Sequence, residues 1–152
     1  MRKEFRKFLE ENSFLPLSNW EYFEIRHVKS FSPKDQRQAY SEISRNVGRK
    51  NGLYIYEKDG EILYVGKGKP LHHRIKDHYR ESYYEITEHP NSKPWLEFFS
   101  SHEGRLKIYW RELKGEQERT IIEQILTYVL KPKFPPFKEK YELEEKEKER
   151  QR

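Results

Sequence analysis

Two strand-like runs, Leu53 to Glu57 and Glu61 to Val65, lie on either side of Lys58-Asp59-Gly60 and constrain this chain more than any other stretch. Runs of this kind around an Asp-Gly pair predict an antiparallel hairpin. Its register is argued from parity. A two-residue loop at Asp59-Gly60 pairs even positions with odd ones and mixes the faces. A three-residue loop pairs Glu57 with Glu61, Ile55 with Leu63 and Tyr54 with Tyr64. It then gathers Leu53, Ile55, Leu63 and Val65 on one aliphatic face and Tyr54, Tyr56, Ile62 and Tyr64 on the other. Because a one-residue slip flips every side chain, this segregation favours the three-residue loop and sets two phenols side by side on one surface.

After the second strand, Gly66-Lys67-Gly68-Lys69-Pro70 turns the chain into a helix expected over Leu71 to Glu81. The stretch lacks the spacing of a Walker phosphate loop. Arg74 and His78 stand four apart and share a helix face. A forked, permanently charged guanidinium suits a scissile phosphate, and an imidazole suits proton relay. The alternative for these two residues is an Arg74 paired with an acid and a His78 packed at the surface. Residues 67–80 hold five Lys/Arg (Lys67, Lys69, Arg74, Lys76, Arg80) against Asp77 alone, together with His72, His73 and His78. Such a patch beside the tyrosine hairpin fits phosphate-backbone binding, with Lys67, Lys69, Lys76 and Arg80 as the contacts beyond Arg74. His72, His73, Asp77 and His78 do not share one face, which disfavours a zinc site.

The remaining pattern completes an α+β domain, a three-stranded antiparallel sheet flanked by helices. Arg105 to Glu112 alternates as a third strand, with Leu106, Ile108 and Trp110 on one face. Pro94 to Ser101 reads as a short helix packing Trp95, Phe98 and Phe99, with Trp95 a buried anchor rather than a base-stacking platform. Glu116 to Leu130 reads as a helix whose apolar stripe is Ile122, Ile125, Leu126 and Val129, with Glu123 at the stripe's border. Residues 1–50 read as a helical extension: one helix near Arg2 to Glu11, and another opened by Ser32, Pro33 and Asp35 and closed by Gly48. Residues 51–137 are the expected core domain, and 138–152 a charged tail. That tail holds six Lys/Arg and six Glu, so the net charge of +5 resides before it.

At 152 residues and 34% hydrophobic, the chain suits one domain, whose core draws on three Trp, eleven Tyr and nine Phe. With no cysteine, disulfide frameworks and thiolate metal sites are excluded. No apolar run reaches membrane-spanning length and the first residues do not read as a signal peptide, so the expectation is a soluble, cytoplasmic protein with no membrane partner.

Gly52-Leu53-Tyr54, then Tyr64-Val65-Gly66, then Arg74 eight residues and His78 twelve residues after Gly66, resemble the GIY-YIG nuclease superfamily. Glu123 precedes Pro132 by nine residues, which is similar to the family's last motif. Lys67 matches a lysine common in the family's repair branch. The match runs over residues 52–134. Leu53 and Val65 are conservative departures; Pro135 stands where the family has asparagine and lacks its side-chain hydrogen bonds.

The resemblance implies a three-stranded core and metal-dependent hydrolysis of phosphodiester bonds in DNA, with RNA also open. Glu123 would hold one Mg²⁺ or Mn²⁺, Arg74 the scissile phosphate, Lys67 supporting charge, and Tyr54 first, with Tyr64 second, the attacking water, with His78 in the relay. A phenol with a pKa near 10 must be depressed by Arg74, Lys67 or the metal to act as a base. A lone site would nick one strand, whereas a homodimer or partner protein allows both to be cut. The competing readings are a nucleic-acid-binding module without turnover and a protein-interaction domain.

Overall fold

The computed structural model describes residues 1–27, 32–81, 98, 101–102, 104–134 and 150–151. Trp95, Phe99, Pro135 and nearly all of the expected helix 94–101 and tail 138–152 lie outside these residues. In chain order the elements are α1 (Arg2–Glu11), a 3₁₀ turn (Leu17–Asn19), β1 (Glu21–His27), α2 (Pro33–Val47), β2 (Gly52–Lys58), β3 (Glu61–Gly68), α3 (Leu71–Glu81), β4 (Gly104–Glu112) and α4 (Glu116–Leu130). None of these helices is long and apolar enough to cross a membrane. α2 begins as its sequence predicts: Ser32 accepts from the Asp35 amide, and the Asp35 carboxylate accepts from the Ser32 amide.

The sheet is antiparallel with four strands in the order β1-β4-β2-β3. The three-stranded expectation is thus corrected by β1, whose Glu21 to His27 pair with Trp110 to Gly104 along β4. Within the supposedly helical first fifty residues, Phe23, Ile25 and His27 alternate as one buried face. Helices cover both sides. Ala39, Ile43 and Val47 of α2 and Leu71, Ile75 and Tyr79 of α3 pack on Tyr54, Tyr56, Leu63, Tyr64, Leu106, Ile108 and Trp110. Leu9 of α1 and Ile122, Leu126 and Val129 of α4 pack on Leu53, Ile55, Val65 and Tyr109.

The hairpin register also differs from expectation. Its loop is the two residues Asp59 and Gly60, with φ of 52° and 80°, the positive pair that a type I′ turn requires. Lys58 pairs with Glu61 and Glu57 with Ile62. Beyond a bulge the pairs become Tyr56–Tyr64, Ile55–Val65 and Tyr54–Gly66. The predicted Ile55–Leu63 and Tyr54–Tyr64 pairs do not form. The bulge takes up Leu63 as an extra residue and restores the parity that a two-residue turn breaks. The tyrosines therefore still share a face, while Leu63 joins them and Ile62 packs with the aliphatic set. That shared face is core rather than surface: Tyr54 and Tyr56 are fully buried and Tyr64 is 8% exposed.

Helix α4 is fastened at both ends. Arg119, 3% exposed, donates to the Leu113 and Lys114 carbonyls at 2.8 and 2.7 Å. Past its other end, the Lys133 and Phe134 amides donate to the Ile62 and Leu63 carbonyls of β3, each at 3.0 Å.

Candidate active site

β3 is an edge strand, and α3 and α4 both pack against it, so side chains from two helices converge on its tyrosine. The Tyr54 hydroxyl lies 2.6 Å from Nε2 of His78, and both residues are wholly buried. Tyr64 is hydrogen-bonded to Tyr54 and to Arg74. A continuous polar chain thus runs from exposed Arg74 through Tyr64 and Tyr54 to His78.

The motif glycines have a steric reason. Gly66 faces Tyr54 across the hairpin, and any side chain there would overlap the phenol ring. A Cβ on Gly68 would come within 2.9 Å of the Leu71 Cα and 3.3 Å of the Arg74 Cβ, so this glycine lets α3 dock with Arg74 against the site.

From the other side, α4 brings Glu123, half-buried at the border of its apolar stripe. Its negative charge acts on both Tyr54 and Tyr64. One turn earlier, Thr120 accepts a 2.9 Å bond from the Lys67 ammonium. Tyr54, Tyr64, Arg74, His78 and Glu123 therefore lie in one electrostatic neighbourhood, with Lys67 tied to the Glu123-bearing helix.

Burial dominates the proton affinities. The Tyr54 phenol is pushed well above 10 by burial, with Tyr64, Tyr56 and Glu123 adding to the rise and Arg74 opposing it. Tyr64 is pushed up to about 12 by burial and Glu123, again against Arg74. This is the reverse of the depression expected from neighbouring cations. Removing a phenolate from water costs more than one guanidinium at the rim returns. His78 is driven well below 6.5, chiefly by burial and then by Arg74 and His27. At neutral pH, Tyr54 and His78 thus form a neutral hydroxyl–imidazole couple.

The remaining basic candidates are spread along the rim. Lys69 is exposed. Lys76 lies over the Tyr40 ring at 5.7 Å, and Arg80 pairs with Asp77 at 3.2 Å. Two groups beside the site escape a reading of the sequence. Tyr56 packs edge-on to both Tyr54 and His78. His27, at the end of β1, is 2% exposed and its pKa is lowered to about 3 by burial. The alternation Phe23, Ile25, His27 is the signal that would have placed it inside.

The donor set at this position is one half-buried carboxylate flanked by hydroxyls. Among the described residues no three His, Cys, Asp or Glu converge into a metal cage. A lone carboxylate of this kind fits a hard divalent cation that keeps most of its own water, not a tetrahedral zinc.

No protein-family model matches the chain. It is 32% identical over 91 residues to UvrABC system protein C of Helicobacter pylori strain J99, covering 59% of this chain and 15% of that protein. Against UvrABC system protein C of Fervidobacterium nodosum it is 27% identical over 101 residues, covering 61% and 14%. The chain thus spans about 15% of the length of the curated relatives it matches. Among solved structures it is similar to the magnesium-bound GIY-YIG N-terminal endonuclease domain of UvrC from Thermotoga maritima. There the identity is 21% and the TM-score 0.43, over 68% of this chain and 97% of that one. The ordered motifs resemble the GIY-YIG superfamily, and the sequence is similar to UvrABC system protein C over about 60% of this chain.

Proposed function

We propose that this protein is a metal-dependent endonuclease that hydrolyses phosphodiester bonds in DNA. The observation that carries this reading is the meeting of Arg74, Glu123 and two buried phenols of the β2–β3 hairpin, with Tyr54 bonded to His78. A guanidinium beside a carboxylate suits a phosphodiester, whose charge grows in the transition state.

Glu123 would hold one Mg²⁺ or Mn²⁺, which supplies Lewis-acid stabilisation of the phosphate and leaving oxygens. Exposed Arg74 binds the scissile phosphate through its fork of donors while its bond to Tyr64 fixes the fork's direction. Lys67, held by Thr120, adds positive charge on the α4 side. Tyr64, the outermost phenol, positions the attacking water. Tyr54 and His78 stand behind it. With both phenols raised and the His78 imidazole held neutral, neither a phenolate nor an imidazolium is favoured, so the chain Tyr64–Tyr54–His78 orients the attacking water through its hydrogen bonds rather than storing its proton. One such site nicks a single strand; cutting both requires a second copy or a partner chain.

A cleavage assay on labelled single-stranded, duplex and branched DNA with Mg²⁺ or Mn²⁺ tests the proposal. Wild type cuts only with metal, and Arg74→Ala and Glu123→Ala each lose on the order of 10² or more in rate. Salt-sensitive binding without cutting under any of these conditions would replace the nuclease with an inactive binding module.

A further inference from the structure

We propose that the loop after α2 and the first turns of α3 form a cationic track, Arg49, Lys50, Lys69, His72, His73 and Lys76, that binds the DNA sugar-phosphate backbone beyond the scissile phosphate. This rests on the reading of the same rim as a DNA-cleaving site and extends it onto the N-terminal part of the chain.

Two segments distant in sequence build the track. Gly48, with φ of 56°, turns the chain out of α2 and presents Arg49 and Lys50 to solvent. The Lys50 carbonyl accepts the Leu71 amide at 2.9 Å, which pins this loop to the start of α3. That amide is thereby occupied, so the side chains rather than the helix end form the site. The Lys50 ammonium stands 5.1 Å from the Trp110 ring centre, its direction set by the ring. His72 and His73 touch at 4.2 Å between ring centres. Burial, and after it Lys76, His73 and Arg49, lower the proton affinity of His72.

Among the described residues, none of the six has an ion-pair partner, whereas Arg45 faces Glu42 and Arg80 faces Asp77 nearby. The negative end of α2 would favour one cation by about 0.3–1 kcal/mol, which does not account for four lysines and arginines across two elements. The track is continuous with the catalytic rim, because α3 also carries Arg74. A protein partner is disfavoured by composition. Among the described residues the exposed large apolar side chains, Met1, Phe8, Tyr22, Ile121 and Tyr128, sit at or on α1, β1 and α4, and a protein interface needs such groups at its centre. Charge without apolar surface fits a polyphosphate backbone.

The test is fluorescence anisotropy on a labelled DNA duplex, without divalent metal, across a salt series. It compares wild type, Arg49→Ala/Lys50→Gln, and the charge-preserving Arg49→Lys/Lys50→Arg. Unfolding temperatures verify that the variants fold. The neutral double variant should bind about 10-fold more weakly, and its slope of log affinity against log salt should shrink by about two units. The charge-preserving pair should keep the wild-type slope. An unchanged slope in the neutral variant, or a loss shared by the charge-preserving one, overturns the track. If wild type binds but never cuts, the nuclease reading fails while the track stands; if it cuts but the slopes coincide, the track fails and the nuclease stands.

Discussion

Strands β2 and β3 contribute alternate residues to two cores of opposite character. Under α1 and α4 they place Leu53, Ile55 and Val65, which do nothing but fill space. Under α2 and α3 they place Tyr54, Tyr56 and Tyr64, whose rings pack as tightly but whose hydroxyls enter the core with them. On the first face any well-fitting hydrocarbon suffices. On the second, each buried oxygen or ring nitrogen must find a partner, and that requirement fixes orientation as well as burial. The same pleat thus separates a face responsible for stability from one where stability and chemistry are entangled.

Four changes would break or sharpen this division. The largest effect belongs to Leu126→Ala on the aliphatic side, which should cost about 2–5 kcal/mol in a denaturant titration. Molecules still folded should cut DNA at the wild-type rate, and a slowed rate would show that the faces are coupled. Next, Tyr54→Phe removes the hydroxyl bonded to His78. Single-turnover cleavage should fall by roughly 10²-fold, comparable to loss of one preorganised group, and a near-normal rate would take Tyr54 out of the water-orienting chain. Gly66→Ala drives a methyl into the Tyr54 ring and should cost about 1–3 kcal/mol as an overpacked site. Cleavage should drop with it, because the displaced ring carries the hydroxyl.

The last test is a pH dependence confined to the polar side. His27 and His78 are buried with folded-state pKa values below the unfolded one, His27 at about 3. As pH falls, the unfolded chain takes up these protons first. Stability is therefore full above about pH 6.5 and declines toward pH 3, by up to about 1.4 kcal/mol per pH unit for each histidine. Chemical denaturation at stepped pH should give a shallower decline in His27→Phe. An equal decline in that variant would put the protons elsewhere.

The segregation of tyrosines from aliphatics was legible because parity survives in the sequence. The register was not. The three-residue loop fails because Asp59 as well as Gly60 takes positive φ and Leu63 absorbs the mismatch as a bulge. A bulge leaves no composition signature in this hairpin. Strand β1 escaped because its partner, β4, lies some eighty residues away and its last inward position is a histidine where an aliphatic residue is expected. The border position of Glu123 followed from helical spacing, since α4 formed over the expected span. The direction of the tyrosine shifts did not follow, because it depends on how deeply α3 covers the hairpin, a tertiary quantity.

The double fastening of α4 has a consequence for how a substrate must fit. Arg119 locks the helix to the end of β4, and Lys133 and Phe134 lock the chain beyond it to the very strand that carries Tyr64. The helix that carries Glu123 is therefore held rigidly against the strand that carries Tyr64. If the chain cleaves DNA as proposed, a rigidly held carboxylate would leave accommodation to the nucleic acid, whose backbone would bring one phosphate to it by bending or unstacking. Selectivity would then follow local deformability, favouring junctions, flaps and flexible steps over stiff duplex of any sequence.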